Sequence, residues 1–369
     1  KIAEGQAEAV NLTGRVGGQI MHCGFRAPVR VGPFPSPGDA TLPPPPPAVG
    51  RRTFVAQTEG AIPIDDALIR AMTPRYETLP GSSSPSGQTT SAQPTSGQTT
   101  SGQPTSGLEQ FIRSLRPSGS VELAAATIDI AADGTVSRSF DLRVTGGALR
   151  YDHFPYPLYN VDGRIKVQDD LVRLIGFTGN NAGVAKIACD GLYQLSDDPD
   201  QAELNLGFRV ADVAMDHSLR VSLPESSRAI WDALAPAGTL DRLSAHVHRQ
   251  GREPVALVLR ANQIETELIG PDTLSLRPTA LPYRVDIVGG SVRYQQDEVT
   301  IEGLRGRHDG SRLVADGRCR RRPDGRWLLT MDLHSGCRLT PDEELIRSLP
   351  RQMGQAMRQL DLRGPVQIR

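Results

Sequence analysis

The tetrapeptide His308-Asp309-Gly310-Ser311 holds all three residue types of a Ser-His-Asp triad. Triad chemistry needs those side chains brought together from separate segments, beside an oxyanion hole. Consecutive residues around an Asp-Gly turn do not supply that geometry, so a hairpin tip is expected instead. His246 and His248 lie two apart, which on a strand puts both rings on one face, where they could hold a metal. No local carboxylate or cysteine joins them, and a solvated strand face is the better reading. Asp197-Asp198-Pro199-Asp200 has the acids of a calcium loop without its glycine and distal glutamate, so it too reads as a turn. Arg318, Arg320, Arg321, Arg322 and Arg326 surround Pro323-Asp324-Gly325. They are expected as solvated arginines at a hairpin tip, with anionic headgroups as the alternative ligand.

No glycine-rich phosphate loop, dinucleotide fingerprint or Gly-x-Ser-x-Gly elbow occurs. Cys23, Cys189, Cys319 and Cys337 are scattered without a Cys-x-x-Cys pair, which argues against zinc and redox chemistry. They read as small apolar strand residues, with a Cys319–Cys337 bridge left open. The 41 basic and 42 acidic residues nearly cancel, so nothing marks a nucleic-acid partner. No apolar run approaches the roughly 18 residues that span a bilayer. The expectation is a non-enzymatic chain: no catalytic residue, no metal, no cofactor.

The elements that position these residues repeat. At an offset of 127, Pro155-Tyr156 returns as Pro282-Tyr283, and Gly163, Gly176 and Gly179 return as Gly290, Gly303 and Gly306. Asp190-Gly191 returns one residue earlier, as Asp316-Gly317. Leu115-Arg116-Pro117-Ser118-Gly119 and Leu234-Ala235-Pro236-Ala237-Gly238 share a second motif, with a looser copy over residues 360–364. Helical segments precede it. Asp66–Met72 resembles Glu343–Leu349, and Arg228–Leu234 takes the middle place. The chain therefore divides into the end of one repeat (1–119), a full repeat (120–238) and a further repeat (239–369). Opening on Lys1 in mid-repeat, it is expected to be part of a longer polypeptide.

Within a repeat the apolar period is two. Val161, Gly163, Ile165 and Val167 alternate with polar residues, as Val292 and Tyr294 do later. Such alternation predicts antiparallel strands with one apolar and one wet face. Asp169-Asp170, Gln296-Asp297, Asp309-Gly310 and Asp324-Gly325 predict hairpin turns. Thr340-Pro341-Asp342-Glu343 predicts a helix start with Thr340 as cap. From it runs an apolar stripe of Leu345, Ile346, Leu349, Met353, Met357 and Leu360. The fold class is mainly β: repeated antiparallel β-meanders, curled into a sheet or groove, each followed by a short α-helix. Two inserts are expected to stay unfolded. Pro33–Gly50 contains five consecutive prolines, and residues 80–107 form a Ser/Gly/Gln/Thr/Pro tract without charge or large apolar groups.

The cadence of Leu149-Arg150, Pro155, Val161-Asp162-Gly163, Val172-Arg173-Leu174, Gly179 and Asp190-Gly191, repeated from Leu276 to Gly317, resembles the AsmA-like family of envelope proteins. That resemblance covers roughly residues 108–369. It implies sheets curled around an apolar floor that conduct phospholipid between membranes or serve outer-membrane assembly. It also implies a periplasmic or cell-envelope location, anchored by a segment outside this chain. The floor candidates are Ile165, Val167, Val172 and Leu174 with their counterparts Val292, Tyr294, Val299 and Ile301. Expected partners are lipid acyl chains or envelope proteins. The alternative is an extracytoplasmic structural or protein-interaction module whose sheets are plugged by their own helices.

Overall fold

The computed structural model describes residues 2–3, 6–28, 50–72, 107–181, 184–196, 198, 200–334, 337–360 and 366–367. The proline-rich and Ser/Gly/Gln/Thr/Pro inserts lie outside the described residues except at Gly50 and Gly107.

Alternating sequence becomes strand throughout. The first part holds β1 (Ile2–Ala3), β2 (Gln6–Val16), β3 (Gln19–Pro28), β4 (Arg52–Thr58) and β5 (Ile62–Pro63), then α1 (Asp66–Met72) and α2 (Gly107–Ser114). The next six strands are β6 (Ser118–Ile130), β7 (Val136–Tyr151), β8 (Phe154–Gln168), β9 (Leu171–Asn180), β10 (Lys186–Gln194) and β11 (Glu203–Ala214). They are closed by α3 (His217–Ser222) and α4 (Glu225–Leu234). Then come β12 (Thr239–Gln250), β13 (Ala256–Gln263), β14 (Ser275–Leu276), β15 (Val285–Gln295), β16 (Glu298–His308), β17 (Ser311–Arg321), β18 (Trp327–Leu333) and β19 (Arg338–Leu339). The helices α5 (Glu343–Ser348) and α6 (Arg351–Gln359) and the short strand β20 (Val366–Gln367) end the described chain.

The strands form one open, curled antiparallel sheet. Long strands pair in chain order from β2 to β13, with β5 beside β6, and then from β15 to β18. Pairing does not stop at the repeat borders, since β4 pairs β6 and β11 pairs β12. The repeat is visible in strand position. β8 and β15 end on Gln168 and Gln295, while β9 and β16 begin on Leu171 and Glu298, each pair 127 apart. Gln296 and Asp297 both take positive φ, 49° and 60°, as a two-residue hairpin whose turn twist matches the strands requires.

The helical parts come in pairs, and here the sequence expectation needs correcting. The counterpart of Glu343–Ser348 is His217–Ser222, not Arg228–Leu234, which lies in α4. Each first helix opens on an aspartate whose Oδ1 accepts the backbone N–H three residues on. These are Asp65 with Leu68 at 2.8 Å, Asp216 with Leu219 at 2.8 Å and Asp342 with Leu345 at 2.7 Å. Asp342, not Thr340, is thus the cap of α5. Nor is the stripe from Leu345 to Leu360 one helix. Pro350 forces Leu349 into an extended conformation (φ −73°, ψ 151°), and Leu223 before Pro224 does the same (φ −71°, ψ 147°). The Ser/Gly/Gln/Thr/Pro tract lies between α1 and α2, where the other pairs have only Leu-Pro.

Burial concentrates at the helical end of the sheet. Tyr156 and Tyr283, repeat equivalents, are 8% and 2% exposed. Ile62, Val121, Leu142 and Val144 form a buried cluster against which Leu68 of α1, Ile165 and Phe177 pack. The opposite end, with the Asp169-Asp170 and Gln296-Asp297 turns, is exposed.

Candidate apolar binding face

All eight floor candidates fall on one face of the sheet. Directly opposed residues of an antiparallel pair share a face. Ile165 faces Leu174 and Val167 faces Val172 across β8–β9, while Val292 faces Ile301 and Tyr294 faces Val299 across β15–β16. Successive partners carry the first group outward in both directions. Leu12, Cys23, Ala56, Ala126, Phe140, Val167, Val172, Tyr193 and Leu204 form one ladder over nine strands. Cys189, Phe208, Ala245, Leu259, Tyr294, Val299, Cys319 and Leu329 form another, which reaches β18. The two ladders meet on β10, where Tyr193 and Cys189 are an even number of residues apart and so share a face.

Each of the eight side chains is half-buried. Glycine relieves crowding at two equivalent positions. A Cβ on Gly191 would lie 2.4 Å from Leu206, and one on Gly317 would lie 2.5 Å from the Met331 sulfur. The other face is charged: Lys166 stands opposite Arg173, and Arg164 is ion-paired with Asp141. The Asp141 carboxyl is held below the usual range, chiefly by its hydrogen bond from Arg164.

The cysteines belong to the apolar face or its helical end, and none is bridged, including Cys319 and Cys337. Burial, above all, pushes the Cys189 thiol up to about 12, so it stays protonated and unreactive at neutral pH. His246 is exposed and His248 half-buried on the charged face, where the His248 Nδ1 lies 3.8 Å from Glu203, a carboxylate contact the sequence did not reveal. Asp198 accepts the N–H of Asp200 at 3.0 Å, as a turn aspartate does. Three of the tip arginines are paired: Arg320 with Glu298, Arg321 with Asp297 and Arg326 with Asp324.

His308 and Ser311 flank the β16–β17 turn as expected, but their side chains serve different partners. The Ser311 hydroxyl accepts the Thr340 N–H at 3.0 Å and the Tyr283 hydroxyl at 3.2 Å. The His308 Nε2 lies 3.4 Å from Glu344 and 3.8 Å from Asp342. The ligand-type atoms of His308, Asp309 and Asp342 lie within 4.8 Å of one another. Asp342 is already engaged as the α5 cap, as Asp65 and Asp216 are at the starts of α1 and α3. The cluster thus reads as a tie between hairpin and helix.

Among the described residues, one hollow of about 180 Å³ is lined by Val136, Arg138, Asp169 and Asp170 at the exposed hairpin end, away from the eight floor candidates. Among the described residues, no helix is long and apolar enough to cross a membrane. Searches of protein-family models, curated proteins and solved structures found no match to this chain.

Proposed function

We propose that the chain is a non-enzymatic envelope protein of the AsmA-like type, whose apolar sheet face carries the acyl chains of phospholipids. One observation supports this reading above the rest: an apolar face continuous from β2 to β18 and half-buried at all eight floor candidates. Each acyl methylene removed from water on such a face gains about 0.8 kcal/mol. Headgroups would stay at the hairpin end, in water. The helical end is closed by residues such as Leu142, 8% exposed, so lipid contact is confined to the half of the sheet nearer the hairpins.

That same closed cluster favours a second reading, a structural or protein-interaction module plugged by its own helices. The two differ in what the purified protein carries. A photoactivatable phospholipid should form adducts that map by mass spectrometry to the strands around Val167, Val172, Tyr294 and Val299. Adducts absent, or spread equally over Arg164, Lys166 and Arg173 on the charged face, would leave the plugged module as the better account.

A further inference from the structure

The tie between the β16–β17 hairpin and α5 carries more charge than joining them requires. Tyr283 and Asp342 have counterparts in Tyr156 and Asp216 of the preceding repeat, so the tyrosine and the helix cap are common to both joints. The remaining polar residues differ. Where the later repeat has His308, Asp309 and Glu344, the earlier one has Asn181, Ala182 and Ser218. Asn181 is buried and donates to the Pro157 carbonyl at 3.2 Å, a neutral hydrogen bond. The earlier joint is thus made without the imidazole and the two added carboxylates.

In the later joint, three carboxylates converge on one nitrogen. The His308 Nε2 lies 3.4 Å from Glu344, 3.8 Å from Asp342 and 3.9 Å from Asp309. These separations exceed a hydrogen bond of about 3.2 Å. An imidazole nitrogen also carries at most one proton, so it cannot serve three acceptors. The spacing does suit atoms that share one ion, since ligands about 2.1 Å from a tetrahedral metal stand about 3.4 Å apart. The ring is held for that role: its side chain is 11% exposed, and it lies against Tyr283 with centroids 4.3 Å apart. Capping α5 occupies only the Oδ1 of Asp342, and its Oδ2 faces His308. The Tyr283 hydroxyl donates to that Oδ2 at 3.3 Å, as an outer-shell donor orients a ligating carboxylate. Charge points the same way. Among the described residues, Arg277, 3.6 Å from Glu344, is the one guanidinium paired with these acids. Three carboxylates and one guanidinium leave two negative charges in excess beside a neutral imidazole, which one divalent cation cancels.

We propose that His308, Asp309 and Asp342, with Glu344 beside them, bind one divalent transition-metal ion of the zinc type, which clamps the β16–β17 hairpin to α5. One imidazole nitrogen with carboxylate oxygens is a donor set that zinc accepts. The ligands come from the hairpin and from the start of the helix, so the ion holds together two elements that are 30 or more residues apart in the chain. The proposal does not depend on what the apolar face binds.

The test is calorimetric titration of the chelator-stripped protein with Zn²⁺, paired with thermal melts. The ion should bind saturably and raise the melting temperature, because it engages the folded joint and not the unfolded chain. His308→Asn places on the hairpin the residue that the earlier repeat carries there. Asp309→Asn changes an exposed side chain to one that tolerates the local φ of 45°. Both variants should fold, and each should weaken Zn²⁺ binding by about tenfold or more. His334→Asn removes a histidine paired with a single carboxylate, Asp316, and should leave the affinity unchanged. Co²⁺ in the same site should absorb as an oxygen- and nitrogen-ligated ion, without the thiolate charge-transfer band that binding at a cysteine produces. Zn²⁺ binding that is absent, that is equal in the wild type and both site variants, or that is lost with His334→Asn instead would overturn the proposal. So would a thiolate band, or a bound ion that leaves the melting temperature unchanged.

Discussion

The Asp190 carboxylate accepts the backbone N–H of Gly176 at 2.8 Å, and Asp316 accepts that of Gly303 at 2.6 Å. Gly176 and Gly303 have φ of 58° and 56°, and the strand register slips by one residue at both places. A β-bulge leaves one N–H off the ladder, and here an aspartate across the pair takes it. Asp162 does the same for Gly146 at 2.9 Å in β7–β8. Bulges increase local twist, so these Asp–Gly pairs help to curl the sheet.

This device makes the fold acid-sensitive in a defined way. The Gly176 N–H, then Arg209, holds the Asp190 carboxyl below its ordinary value, and the Gly303 N–H, then His334, does so for Asp316. A carboxyl depressed in the folded state stabilises it above the unfolded value, about 3.9, and that contribution is lost as pH falls through the folded value. The double variant Asp190→Asn/Asp316→Asn should melt a few degrees lower at pH 7. Between pH 5 and pH 2 it should lose less melting temperature than the wild type. Parallel curves across that range, followed by circular dichroism, would show that neither carboxylate is linked to folding.

Gly163 and Gly290 are repeat equivalents with different constraints. A Cβ on Gly163 would sit 2.5 Å from the Phe177 ring, whereas one on Gly290 would sit 2.7 Å from the Leu304 backbone at φ 116°. A ring can tilt; a paired strand backbone cannot. Gly163→Ala should therefore cost about 1–2 kcal/mol by overpacking. Gly290→Ala should cost about 3 kcal/mol or more, since steric strain at positive φ adds to the clash. Chemical denaturation of both variants checks the order, and equal costs would mean that the two units pack alike at this position.

Much of the strand pattern was legible because alternation and turn chemistry act over a few residues. The Asp169 and Gln296-Asp297 turns and the paired apolar rows of β8–β9 and β15–β16 follow from local sequence. The helix pairs were harder. Their signature is Asp-x-x-Leu-x-x-Ser-Leu-Pro, with Asp216, Leu219, Ser222, Leu223 and Pro224 matching Asp342, Leu345, Ser348, Leu349 and Pro350 at an offset of 126. Aligning helices by apolar content alone hid it, because Arg228–Leu234 is equally helix-like. Continuity of the sheet across the repeat borders was also hidden, since which strand edges meet is not written in either strand's own alternation. Of the candidate face, what was legible is that its residues share one side of the strands. Their half-buried state was not, because it depends on how far the sheet curls.

That half-buried state decides the outcome of one further substitution. Val172 lies between Val167 and Tyr193, and Val299 between Tyr294 and Cys319, all on the apolar face. On an open face, an aspartate at either position keeps contact with water and does not bear the full penalty of a buried, unpaired charge. Val172→Asp/Val299→Asp should therefore stay folded, with a melting temperature lowered by several degrees rather than lost. Photocrosslinking to a phospholipid probe should fall by about tenfold, since two charges would break the apolar path in both units. Leu142→Asp supplies the contrast: Leu142 is 8% exposed and packed with Ile62, Val121 and Val144, so a carboxylate there should unfold the protein outright. If the double variant unfolds as Leu142→Asp does, the face is a closed core and the plugged module is the correct reading. If it stays folded with undiminished crosslinking, lipid binds elsewhere, and the charged face around Arg164 and Lys166 becomes the surface to examine.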